Sequence, residues 1–102
     1  MKAILIDPNE RCLRQVQVQD KDDIVELIGY DTVISDEIGP DGERMFLDEE
    51  CFIRGTPGRF QLEGVAPVAG RAVVTGASGA GRVLADVAST TEEIERRLVW
   101  MS

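Results

Sequence analysis

The sequence predicts an α+β fold of about six short, mostly antiparallel strands with two helices packed on one face. Three observations lead there. Phe60 to Val87, FQLEGVAPVAGRAVVTGASGAGRVLADV, is the most apolar stretch and reads as strands separated by glycine turns. Elsewhere Gly, Pro, Asn and Asp break the chain into segments too short for a helical protein. Two segments, opening at Asp20 and at Thr90, carry helix-start chemistry.

Residues 1–102 are expected to form one domain, since 102 residues is a common size for a single core. With 43% hydrophobic and 29% charged residues, the composition is that of a soluble globular chain. Nineteen acidic against eleven basic residues give a net charge of −8. That excess disfavours direct nucleic-acid binding and attraction to acidic membranes, while a basic protein partner is compatible with it. There is no histidine, so the commonest general base and a common transition-metal ligand are missing. Cys12 and Cys51 form no CxxC pair, and the apolar run in MKAILIDPNE is too short for a signal sequence or a membrane span. Both features point to a reduced, cytoplasmic setting.

Taken in order, Met1 to Ile6 reads as a strand at least partly covered on both faces. Asp7-Pro8-Asn9-Glu10 is turn chemistry, because proline presets a dihedral and Asp and Asn bond their own backbone. Cys12 to Val18 then alternates, with Cys12, Arg14, Val16 and Val18 on one side and Leu13, Gln15 and Gln17 on the other. Apart from Arg14 and Leu13 this gives one apolar face, so residues 1–19 are expected to form a β-hairpin. Asp20 is a good N-cap, and Asp22 and Asp23 complement the positive end of the helix dipole. Ile24, Val25, Leu27 and Ile28 form an apolar stripe that Gly29 ends. Asp31–Ile38 and Arg44–Leu47 read as strands around the turn residues Gly39–Glu43.

Asp48-Glu49-Glu50 reads as a solvated turn. Asp48 and Glu50 share a side if the chain is extended, but no further ligand completes the oxygen set of a divalent cation. Phe52 and Ile53 are expected to anchor the loop Arg54–Arg59. Phe60–Glu63 alternates as a strand, and Val65–Val68 is an edge or a connector because of Pro67. Arg71–Thr75 is the strongest candidate for a buried strand, with Arg82–Val87 as a second, joined by the small-residue hairpin loop Gly76–Gly81. Thr90 and Glu93 form a capping-box pattern, and Ile94, Leu98 and Met101 place one apolar face on a helix running to the end of the sequence.

The run Val73–Gly81, VVTGASGAG, has the look of a dinucleotide-binding glycine turn, but three features oppose that reading. Its spacing is one residue short of TGxxxGxG, and Arg82 replaces the last glycine of TGxxGxxG. The next segment reads as a strand where a helix is needed to meet a pyrophosphate, and too little chain follows to complete that fold. No Gly-Lys-Ser/Thr ends the run, which excludes a Walker A loop. Ser78, Cys12 and Cys51 lack an identifiable base, so no catalytic residue, cofactor or metal is assigned. Tyr30 and Trp100 are isolated and the arginines dispersed, which is not a nucleic-acid platform.

MKAILIDP at the start, LDEE at 47–50 before a glycine-containing loop, AGRAVVTG at 69–76 and the closing Thr-Thr-Glu-Glu helix resemble a family of small domains of unknown function. That family occurs in bacteriophages, prophages and conjugative plasmids. The resemblance implies a mobile-element origin and an α+β fold. It carries no catalytic residues across, and Cys51 stands where a glycine is expected after LDEE.

The favoured expectation is a non-enzymatic accessory protein, monomeric or homodimeric, that binds a basic host or phage protein through an acidic surface. Inhibition of a host defence nuclease by DNA-like charge is its sharpest form. The surface comprises Asp36, Glu37, Asp41, Glu43, Asp48, Glu49 and Glu50. A small-molecule or nucleotide-binding module built on loop 76–81 is the alternative, followed by an enzyme using carboxylates or a metal.

Overall fold

The computed structural model of the protein describes residues 1–38, 42–55, 58–78 and 83–101. Lys2–Asp7 (β1) and Cys12–Gln17 (β2) form the expected hairpin, paired from Lys2 opposite Gln17 to Asp7 opposite Cys12. Lys21–Ile28 (α1) begins where Asp20 accepts the Asp23 amide at 3.2 Å. It ends at Gly29, whose φ of 94° is the left-handed conformation that glycine adopts most easily. Val33–Ile38 (β3) and Glu43–Asp48 (β4) form the second hairpin, whose tip, with Gly39, Pro40 and Asp41, lies outside the described residues.

Arg59–Leu62 (β5) and Val68–Ala69 (β6) pair with each other, with Pro67 just ahead of the β6 edge. Ala72–Ser78 (β7) holds the centre of the main antiparallel sheet, in the order β2-β1-β7-β4-β3. The strand expected to be buried is therefore flanked by neighbours on both sides, and Ala72, Val73, Val74 and Thr75 are fully buried. Its far end pairs with Val83–Ala85 (β8), Gly76 opposite Ala85 and Ser78 opposite Val83. The glycine turn is thus narrower than the sequence implied: Gly76, Ala77 and Ser78 belong to the strand, while residues 79–82 lie outside the described residues. A strand, not a helix, follows the glycine-rich run.

Thr91–Arg96 (α2) carries the expected capping box, Thr90 accepting the Glu93 amide while Glu93 accepts the Thr90 amide. The helix expected to continue through Met101 stops at Arg97. Leu98–Met101 is a strand (β9) paired with β5. Two contacts explain the change of state. The Arg97 amide closes a tight turn onto the Ile94 carbonyl at 3.0 Å, and the Arg97 carbonyl accepts the Glu63 amide at 2.7 Å. The chain is then led onto the free edge of β5, where Val99 and Trp100 have the shapes that suit a strand. Leu98 and Trp100 turn toward the core, and Trp100 meets Phe60 edge-on at 6.5 Å between ring centroids.

The helices do not share a face. Ile24 and Ile28 of α1 pack with Ala3, Leu5, Phe46 and Val73 on one side of the main sheet. Ile94 of α2 packs with Ile4, Ile6, Met45 and Val74 on the other, together with the small sheet β6-β5-β9. Strand alternation makes this arrangement necessary. The central strands β1 and β7 are apolar at successive positions, so both faces of the sheet must be covered. Among the described residues, no helix is long and apolar enough to cross a membrane.

Candidate functional site

The acidic residues singled out in the sequence separate into two kinds. Asp36 and Glu37 are exposed on β3, an outer strand of the main sheet, and Glu49 and Glu50 are exposed on the turn after β4. Asp41 lies outside the described residues. Glu43 and Asp48 are not surface groups, each being only 3% exposed. Glu43 opens β4 on the same side as Met45 and Leu47. Its carboxylate accepts the Ser89 amide at 3.0 Å and the Ser89 hydroxyl at 2.8 Å, fixing the approach to α2. A residue expected in a turn therefore follows the inward period of its strand, and that period was the available signal.

Asp48 ends β4 and is the hub of the turn that follows. One carboxylate oxygen accepts the Thr32 hydroxyl and the Glu50 amide, and the other accepts the Arg54 guanidinium. Burial by itself pushes this carboxyl up. The Thr32 hydroxyl, the Glu50 amide and the Arg54 guanidinium outweigh that effect and hold it below the ordinary carboxylate value. Asp48 therefore stays ionised at neutral pH as the buried half of an ion pair, and it is not available to an outside partner.

Arg54 ties the same turn to its surroundings, donating also to the Thr32 hydroxyl at 2.9 Å and stacking 4.0 Å from the centroid of the Tyr30 ring. The amides of Ile53 and Arg54 both return to the Glu50 carbonyl, at 3.0 and 3.2 Å. Wound this tightly, the turn points Cys51 into the core and sends Phe52 and Ile53 outward. The two apolar residues expected to anchor a loop are instead 51% and 83% exposed. Local apolar character was a poor guide because the turn's single inward position is filled by Cys51.

A second feature lies where β1 and β4 end and β7 begins. Extending the β1–β7 register by one residue and the β4–β7 register by two sets Arg71 opposite both Asp7 and Asp48, an Asp–Arg–Asp row across the three central strands. A cleft of about 310 Å³ opens there, lined by this row, by Cys51 and Gly70, and by Ile28, Gly29 and Tyr30 at the end of α1. Asp7 is 3% exposed, and one of its oxygens accepts the amides of Asn9 and Glu10 at 3.1 and 3.3 Å. Its other oxygen faces the Arg71 guanidinium at 3.5 Å. In the sequence Asp7 reads only as a turn residue. A signal was present in the parallel endings ILID and MFLD, two apolar strands each closing on an aspartate before a turn.

The cleft and the glycine-rich run are at opposite ends of β7. Gly76 is required by packing: a Cβ there would lie 2.1 Å from the Asp86 carbonyl oxygen, so the chain after β8 crosses directly over it. Among the described residues, no three His, Cys, Asp or Glu side chains stand together as a metal-ligand group. No protein-family model, curated protein or solved structure matches this chain.

Proposed function

We propose that the protein is a non-enzymatic binding protein of a phage or other mobile element. It engages a basic host or phage protein through the turn after β4 and the neighbouring edge of β3. The observation that carries this reading is the pairing of Phe52 and Ile53, projected into solvent, with the carboxylates of Glu49 and Glu50 on a turn braced by Arg54. Exposed apolar side chains ringed by polar ones are the ordinary anatomy of a protein-binding patch. A braced turn also loses little entropy on docking. Asp36 and Glu37 extend the negative charge along β3, which steers a basic surface toward the patch.

The mobile-element assignment rests on the resemblance of the MKAILIDP, LDEE and AGRAVVTG segments to the phage and plasmid family. Inhibition of a host defence nuclease belongs to the same proposal, because a surface of this charge competes with nucleic acid for a basic groove. The free thiols of Cys12 and Cys51 suit a reducing cytoplasm. The absence of histidine from the sequence leaves Ser78 and both cysteines without that usual activating base, which favours a binder over an enzyme.

Capture from bacterial lysate tests the patch when wild type and the Ile53→Asp variant are used side by side as bait at low and high salt. A basic protein retained by wild type, weakened by salt and lost with Ile53→Asp is the expected result. Identical sets of captured proteins from the two baits would refute the assignment of the patch.

A further inference from the structure

We propose that the cleft at the Asp7–Arg71–Asp48 row binds a small organic cation bearing a guanidinium group, in the place that Arg71 itself now holds loosely. The argument begins with Asp7. This carboxylate is almost fully buried, yet among the described residues only one of its oxygens is hydrogen-bonded, to the two turn amides. The other has only the Arg71 Nε at 3.5 Å, well beyond the ~2.7–2.9 Å of a charge-assisted hydrogen bond. An anionic oxygen that opens on a cleft and meets no protein donor at full strength leaves a demand for a cation.

Arg71 answers that demand poorly. Its side chain is half exposed, and its second contact, Nη1 to the Leu27 carbonyl, is also long at 3.4 Å. Leu27 lies in the last turn of α1, a turn with no basic residue, so the negative end of the helix dipole adds to the field of Asp7. Asp48 contributes charge to the same wall, but its oxygens are already taken by Thr32, Glu50 and Arg54. Recognition therefore falls to Asp7 and the Leu27 carbonyl. With Asp48 paired to Arg54, Asp7 and the helix C-terminus are the groups of this wall that attract a cation, and Arg71 is the one they now hold.

The chain's own arginine also indicates which cation fits. One planar fork spans the Asp7 oxygen and the Leu27 carbonyl, through Nε to the first and Nη1 to the second. A guanidinium supplies that geometry, whereas an ammonium is a point charge that satisfies one acceptor well and the other badly. Half of the Arg71 side chain already faces water, so its departure costs only the burial of the other half. A cleft of about 310 Å³ lies in the size range of small-ligand sites.

Titration of 15N-labelled protein with methylguanidinium, at constant ionic strength, tests the proposal, with methylammonium and acetate as controls. Saturable shifts are expected at the amides of Gly29, Tyr30 and Gly70 with methylguanidinium, smaller ones with methylammonium and none with acetate. Arg71→Ala removes the resident competitor and is expected to lower the saturating concentration about tenfold. Asp7→Asn keeps the oxygen that accepts the turn amides while deleting the charge, and is expected to weaken binding at least about tenfold. Three results would each overturn the proposal: shifts that do not saturate, shifts equal for the two cations, or an Arg71→Ala variant with unchanged affinity. Should Asp7→Asn lose the dispersed spectrum of the folded protein, the Arg71→Ala comparison decides alone.

Discussion

The hydroxyl of Thr75 is fully buried in the middle of β7 and has no hydrogen-bond partner among the described residues. A buried hydroxyl that gave up water for nothing is destabilising, and valine has nearly its shape without the oxygen. Thr75→Val is therefore expected to raise the unfolding free energy by about 1 kcal/mol in urea titration, against the usual direction for a core substitution. A fall in stability would show that the hydroxyl has a partner in solution. At this scale the sequence was readable where a residue acts on its own neighbours. Asp20, Gly29, Thr90 and Glu93 cap their helices as their types require. It was misleading where the partner is remote. The acceptors Glu43 and Asp48 are met by Ser89 and Thr32, 46 and 16 residues away along the chain, and only tertiary pairing brings those residues to them.

Among the elements, β7 is the one whose fit is tightest. Its Gly76 lies under the chain leaving β8, and any side chain there must displace backbone. Gly76→Ala is expected to cost about 1–3 kcal/mol, the usual penalty of overpacking, and to hasten amide exchange in Val83–Ala85 before it affects β1. Equal acceleration in both strands would argue against a local cause. The hairpins β1–β2 and β3–β4 were legible because alternation and turn residues lie within one stretch of chain. The final segment was not. Ile94, Leu98 and Met101 do fall at helical spacing, but Leu98 and Trp100 also alternate, and the vacant edge of β5 decides between the two periods. No local pattern in Leu98–Met101 encodes that edge.

For the molecule as a whole, the decisive feature is a single sheet with a hydrophobic cluster on each face. Because β1, β4 and β7 contribute side chains to both clusters, neither can come apart while the other stays intact. Unfolding followed by the fluorescence of Trp100, the only tryptophan, is expected to coincide with loss of far-ultraviolet dichroism in urea. An earlier fluorescence transition would mean that the small sheet melts as a separate unit. The α+β class could be read from the sequence, since it follows from short apolar segments and two capped helices. The placement of the helices on opposite faces could not. It depends on which side each strand turns toward which helix, and periodicity alone does not fix that.

The layering also bears on how the protein is made. The ribosome extends the chain from the N-terminus, so the inner wall formed by Ile4, Ile6, Met45 and Val74 emerges ahead of Ile94 and Trp100, by about 1–5 s at the usual rate of synthesis. For that interval the nascent polypeptide displays an oily surface with nothing over it. A holding chaperone has its opening on this protein in that interval, and the opening closes when β9 docks on β5.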